Sequence, residues 1–329
     1  QHSDEGWAVT PARTALGHRP AMLAAMALAL IAQRTILGVT WSNDQAMLRI
    51  RDGNDTISAL VPPIGLHLNY WIGAEPRRRC VGHISQTDGY RDCSSRPEPR
   101  SRTCTSCSIA DAMFASQLHH AHNEPERVTE QAMLDHFQQP NVLYLAAFRD
   151  GSVKIGTSTA TRVQKRLLEQ GAWRAVLVAE TTDGYVVRVA EDLITSNLGI
   201  PQSVSASRKL AGLANPLDEP ELDERLEPLA DRVRQLIGAD ADSGVVSTLT
   251  WWSNPAAQRS VWQQVRSYPL DPRRGAHDLE ILDVVGRMVA ARRTNTSDVF
   301  AIDLQKLYGI ELAIGNHEPD ELVIQDSLF

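Results

Sequence analysis

Four cysteines, Cys80, Cys93, Cys104 and Cys107, fall within 28 residues of a 329-residue chain that has no others. A chain of this length can bury a substantial core and gains little from clustered disulfides. The pattern suits a different chemistry. A knuckle such as Cys104-Thr105-Ser106-Cys107 delivers two thiolates from one turn, and four thiolates at about 2.3 Å close the tetrahedron of a structural zinc ion. Twelve and ten residues separate the other ligands. The expectation is a structural Zn²⁺ site, with a set of free or redox-active thiols as the alternative. His83, His119, His120 and His122 are possible substitute ligands. The last three, at i, i+1 and i+3 of a helix, cannot all face one point.

A second stretch, Asn141 to Leu198, carries a different set of groups. Val142 to Phe148 is an apolar, β-rich run. Arg149-Asp150-Gly151-Ser152 follows it, and Asp-Gly between two such runs signals a hairpin. Val153-Lys154-Ile155-Gly156-Thr157 returns antiparallel. A helix then starts near Thr159 and ends at Gly171, a good residue for the left-handed position after a helix. A third strand spans Arg174 to Thr182, and a second helix, carrying Glu191, spans about Tyr185 to Asn197.

This arrangement resembles the GIY-YIG endonuclease superfamily. Val142-Leu143-Tyr144 stands at the first motif and Lys154-Ile155-Gly156 at the second. Arg166 stands at the helical arginine and Glu191 at the metal-binding glutamate. Val142 replaces the first glycine of the pattern and Lys154 its second tyrosine. The likeness covers roughly sixty residues. The whole chain more closely resembles a bacterial and archaeal family that sets a cysteine cluster just before such a core.

The resemblance implies hydrolysis of a phosphodiester, a reaction that needs an activated water and charge stabilisation on the phosphoryl oxygens. Glu191 would hold one Mg²⁺ or Mn²⁺ that keeps most of its own waters. The planar fork of Arg166 would clamp non-bridging oxygens. Tyr144 would orient or deprotonate the water, and Lys154 would contact phosphate as a point charge. Gly156 would allow close backbone approach. Thr157 and Ser158 assist there or cap the helix. Each residue also has a plain reading. Tyr144 packs on an alternating strand, Arg166 and Glu191 form a structural ion pair, and Arg162 and Arg166 belong to a solvated helix face.

The net charge of −7 gives no general attraction to nucleic acid, but its distribution is uneven. Seven basic and four acidic residues lie between Trp71 and Ser108, and six basic and two acidic between Tyr144 and Arg174. Nine acids oppose three bases from Asp218 to Asp242. Local stripes steer a polyanion, so Arg77-Arg78-Arg79, Arg162 and Lys165 are candidate DNA contacts; the triplet reads equally well as a solvated turn. The 29 arginines against four lysines suit phosphate forks, and a GC-rich genome produces the same bias.

The elements around these groups read as an α+β protein. Residues 1 to about 19 are polar and irregular. Ala21 to Ala32 is an apolar helix too short to span a bilayer and without a clear cleavage pattern, so a soluble, cytoplasmic protein is expected. Strands at Leu37–Trp41, Ala46–Ile50, Thr56–Val61 and His67–Ile72 form an N-terminal antiparallel β unit. Ile109 to Phe137 forms one or two helices, broken near Asn123-Glu124-Pro125. Beyond Leu198 come an exposed helix at Glu221–Ile237, a segment at Val245–Trp252, a helix near Ala256–Val265, strands near Leu279–Val289 and Val299–Asp303, and a closing segment at Leu307–Ile314. Trp251, Trp252 and Trp262 are core residues or stacking platforms for bases.

The expected architecture has four parts. Residues 1–79 hold the N-terminal helix and β unit, and 80–139 the zinc element with its linking helices. Residues 140–200 form the nuclease-like α/β sandwich, a three-stranded antiparallel sheet with helices. Residues 201–329 form an acidic linker and a small C-terminal α+β lobe. The functional expectation is an Mg²⁺-dependent DNA endonuclease that nicks branched or damaged duplexes in repair, by similarity to excision-repair nucleases. Its rivals are a non-catalytic zinc protein that binds nucleic acid through a degenerate core, and a partner-binding module that docks through its acidic segment.

Overall fold

The computed structural model describes residues 33–322 except 54, 86–88, 121, 129–130, 239–243 and 295; the side chains of 117–120 and 127 also lie outside the description. The expected apolar helix at 21–32 therefore falls outside the described residues.

β1 (Gln33–Ser42) and β2 (Gln45–Asp52) form a hairpin whose turn residues, Asn43 and Asp44, both have positive φ (47° and 60°). Two left-handed residues give a turn whose twist matches that of the flanking strands, and Asn and Asp tolerate this conformation. β3 (Ala59–Val61) and β4 (His67–Ile72) follow. A short ribbon, β5 (His83–Ser85) with β6 (Gly89–Arg91), leads to α1 (Thr105–His120) and α2 (Gln131–Phe137).

The middle of the chain supplies β7 (Asn141–Ala147), β8 (Val153–Thr159), α3 (Val163–Gln170), β9 (Arg174–Thr181) and α4 (Gly184–Leu198). Gly171 takes φ 68° and ends α3 as its sequence position implies. Asp183 caps α4, its carboxylate accepting from the amides of Tyr185 and Val186. Every residue of β7 is buried, because both faces of the strand are covered. Leu143, Leu145 and Ala147 join Val187 and Ile194 of α4, whereas Tyr144, Ala146 and Phe148 join Leu167 of α3.

The remaining elements are α5 (Ala206–Ala214), α6 (Glu219–Ile237), β10 (Val245–Ser253), β11 (Val265–Ser267), β12 (Gly275–Val285), β13 (Met288–Arg293), β14 (Val299–Asp303) and β15 (Glu311–Ile314). They change the expected architecture in three ways. β10 pairs with β9, so the central sheet has four strands in the order β10-β9-β7-β8 instead of three. The N-terminal β unit and the C-terminal lobe are not separate: their strands interleave in one nine-stranded sheet, β11-β14-β13-β12-β4-β15-β1-β2-β3. Alternation fixes which residues face a core, but not which distant strand supplies the partner. The third change concerns α6, expected to be solvent-exposed. It buries Leu222, Leu226, Ala230, Val233 and Ile237, a 3.6-residue stripe masked in the sequence by its many acids.

α5 has no counterpart in the sequence expectation, and two short 3₁₀ segments, Pro255–Gln258 and Ser260–Gln263, replace the expected helix near Ala256–Val265. Trp262 is buried, its indole N–H donating to Asp283, and Trp251 and Trp252 pack against the hydrophobic clusters. All three tryptophans therefore contribute to cores. No described helix is long and apolar enough to cross a membrane.

Candidate functional site

The four cysteines meet. Their sulfur atoms all lie within 4.8 Å of one another. Four ligands at about 2.3 Å from one ion would stand roughly 3.8 Å apart, and Cys93 and Cys104 are separated by 3.8 Å. Cys104 and Cys107 flank the first turn of α1, as the knuckle implies. The amide of Cys107 donates to the sulfur of Cys104 and holds that thiol down to about 7, whereas burial pushes the thiols of Cys107 and Cys80 up.

Surrounding groups fix this geometry. The amides of Gly82 and Cys104 donate to the sulfur of Cys80 at 3.4 and 3.2 Å. Arg51, fully buried on β2, donates to the Cys93 carbonyl at 2.7 Å and to Asp92 at 2.8 Å, tying the cluster to the large sheet. Such outer partners orient metal ligands. His83 stands beside the cluster, its Nδ1 3.3 Å from the sulfur of Cys107. His122 is paired instead with Asp192 at 2.9 Å, and the side chains of His119 and His120 are among those not described. The donor set is that of a soft-metal site.

The second constellation sits on the central sheet. Tyr144 on β7 faces Gly156 on β8 in the strand register, and its ring lies over the glycine. A register shift between Leu143 and Tyr144 in the pairing with β9 marks a bulge at this position. The phenol is buried and accepts a 3.0 Å hydrogen bond from Gln170 of α3. Burial raises its pKa; Arg166 and the Gln170 bond oppose that rise, and Glu191 adds to it. Lys154, 7 % exposed, donates to the carbonyl of Gln202 at 2.9 Å. Burial and Arg166 hold its pKa down to about 8, against the pull of Glu191. Tyr144, Lys154, Arg166 and Glu191 thus share one electrostatic neighbourhood, drawn from β7, β8, α3 and α4.

Glu191 is buried on α4 and makes its ion pair with Arg188, 2.7 Å away, not with Arg166. It lines a cavity of about 590 Å³ with Arg188, Asp192, His122 and Gln202. Arg188 also lines a groove of about 860 Å³ between the central sheet, α2 and the β1–β2 hairpin. Among the described residues that groove presents five cations, Arg49, Arg162, Lys165, Arg166 and Arg188, against one carboxylate, Glu169. His136 on its wall is held below its usual range by burial and by Arg162 and Arg188.

Of the candidate DNA contacts, Ser158, Arg162 and Lys165 line the groove, and Gly156 lies behind the phenol. Arg77, Arg78 and Arg79 do not. Arg79 is ion-paired with Glu311 at 2.7 Å, and Arg78 bridges to Ile310 beside Arg102 and Arg273. Residues not anticipated are Gln170, Arg188 and Arg49. Arg188 lies three residues before Glu191, so helical spacing alone places it beside its partner. Gln170, four residues after Arg166, shares its helix face and reaches Tyr144 on β7. Arg49 comes from a distant hairpin and carries no such signal.

Comparison with known proteins matches residues 75–272, more than half of the chain, to the model of a family described as "Protein of unknown function (DUF2797)". No curated protein and no solved structure matches.

Proposed function

We propose that this chain, which belongs to the DUF2797 family, is a divalent-metal-dependent endonuclease acting on DNA, with a structural zinc ion in the four-cysteine cluster. The reading rests on one observation: a tyrosine, a lysine, an arginine and a glutamate from four separate elements share one electrostatic neighbourhood beside a cationic groove. The GIY-YIG resemblance gives these residues their roles.

On this reading the groove attracts the sugar-phosphate backbone through Arg49, Arg162 and Lys165, and Arg166 forks onto the scissile phosphate. Tyr144 holds the attacking water through its phenol, which Gln170 keeps in place. Lys154 adds positive charge beside Arg166. Glu191 fits a cation that retains most of its waters, since it offers one carboxylate and its cavity has room for solvent. A divalent ion held there would polarise the phosphoryl oxygens. Arg188 pairs with this carboxylate and would have to swing aside for an ion.

The pairing of Glu191 with Arg188 and the sealed phenol of Tyr144 favour a second reading, in which the core binds nucleic acid without cutting it. Incubating labelled plain and branched duplexes with the full chain and Mg²⁺ separates the two. Cleavage by wild type but not by Glu191→Ala, with binding retained, supports the nuclease. Salt-sensitive binding without cleavage by wild type establishes the second reading, and absence of binding at low salt removes both.

A further inference from the structure

A separate cavity of about 260 Å³ lies where α3, α5, the β7–β8 turn and the β12–β13 turn converge. Its polar walls are Arg149, Arg166, Lys209, Arg287, Gln170 and Glu169. Only Arg166 and Glu169 are shared with the groove. The rest is apolar, with Leu213 and Val285 among the lining residues.

The charges do not balance. Glu169 is engaged by Arg162 and Lys165. Arg287 is paired with Asp303 at 3.1 Å. The ammonium of Lys209 meets no carboxylate among the described residues: it donates to the carbonyl of Gln170 at 2.9 Å and sits 4.1 Å above the ring of Phe148. Arg149 stacks 4.3 Å over Trp173 and donates to the carbonyl of Trp262. Among the described residues its Nε and the Oε1 of Gln170 are buried with no partner. Unpaired buried donors and acceptors are costly, and a native site that keeps them commonly meets a ligand there.

We infer that this cavity binds a phosphate monoester, either on a small metabolite or at the 5′ end of a nucleic-acid strand. Arginine forks and a lysine match a dianion that offers three terminal oxygens. With about 30 Å³ per liquid water, the volume admits a phosphate with an attached sugar but not a duplex. A sugar hydroxyl would also satisfy the unpartnered Gln170 oxygen. Consistent with unrelieved positive charge, burial together with Lys154, Arg287 and Arg166 holds the Lys209 ammonium down to about 8. The pocket needs no divalent ion and does not depend on cleavage in the groove.

The test is calorimetric titration of the zinc-loaded full chain, without Mg²⁺, with inorganic phosphate, a nucleoside 5′-monophosphate, and matched 5′-phosphorylated and 5′-hydroxyl oligonucleotides. Binding of a phosphorylated probe is expected to weaken about tenfold or more in Lys209→Met and in Arg287→Gln, and to persist in Glu191→Gln. A mononucleotide bound as tightly as the phosphorylated strand identifies a metabolite pocket; preference for the phosphorylated over the hydroxyl strand identifies an end-binding pocket. Failure of wild type to bind any phosphorylated probe overturns the inference, as does unchanged affinity in both variants. The two substitutions lie on different elements, and thermal unfolding confirms that each variant is folded. Absence of nicking by wild type, with monoester binding intact, would overturn the nuclease reading alone.

Discussion

A Cβ placed on Gly156 would lie 2.6 Å from the phenol oxygen of Tyr144, directly across the β7–β8 ladder. The tyrosine is seated only because its neighbour has no side chain. Gly156→Ala should therefore displace the ring from a fully buried position and cost about 1–3 kcal/mol by overpacking. Denaturant unfolding measures this, and a variant as stable as wild type would show that the ring is not held as described.

Arg188 neutralises a buried carboxylate at 2.7 Å. Removing one partner of a buried pair costs about 3–5 kcal/mol, and the 20 % exposure of the Arg188 side chain places this pair at the low end. Arg188→Gln should lower the midpoint of thermal unfolding, and millimolar Mg²⁺ should recover part of the loss in the variant more than in wild type, because a cation bound only to the folded state stabilises it. An Mg²⁺ response identical in both proteins would mean that Glu191 does not take the ion.

The four sulfur atoms should hold one zinc ion per chain, and folding of the region around α1 should depend on it. Metal analysis of the purified chain and of Cys93→Ser checks this. Zinc absent from wild type, or a Cys93→Ser variant with unchanged stability under chelation, would contradict the assignment.

Lys154 and Lys209 are both held down to about 8, against 10.5 for an ordinary lysine, chiefly by burial. Between those values the unfolded chain retains protons that the folded chain has released, so stability rises with pH across roughly pH 8 to 10.5. Below pH 8 both states are charged and the penalty, roughly 3 kcal/mol per lysine at most, is fully present. Lys209→Met should therefore be more stable than wild type at pH 7, and the difference should shrink toward pH 10 in phosphate-free buffer. A difference that stays constant from pH 7 to 10 would contradict the depressed pKa.

Local chemistry in this chain was legible from its sequence, and long-range pairing was not. The Asp150-Gly151 hairpin, the Gly171 helix end and the Cys104–Cys107 knuckle are set by neighbours within a few residues, and each falls where its spacing implies. The nine-stranded sheet joins β4 to β12 and β15, strands some two hundred residues away, and no alternation pattern names such a partner. Long-range packing also brings Arg287, in the β12–β13 turn, and Lys209, on α5, to a cavity that their own segments gave no reason to expect. Arg79 went the other way: its place in a basic triplet suggested phosphate, and Glu311 from the far end of the chain claimed it.

The most direct measurement is the single-turnover rate of strand nicking by zinc-replete wild type and Glu191→Gln across a titration of Mg²⁺. The account predicts a rate that saturates with Mg²⁺ in wild type and falls by about a hundredfold or more in the variant, with affinity for the duplex unchanged. Equal rates in the two proteins, or no nicking by wild type at any Mg²⁺ concentration, would contradict it.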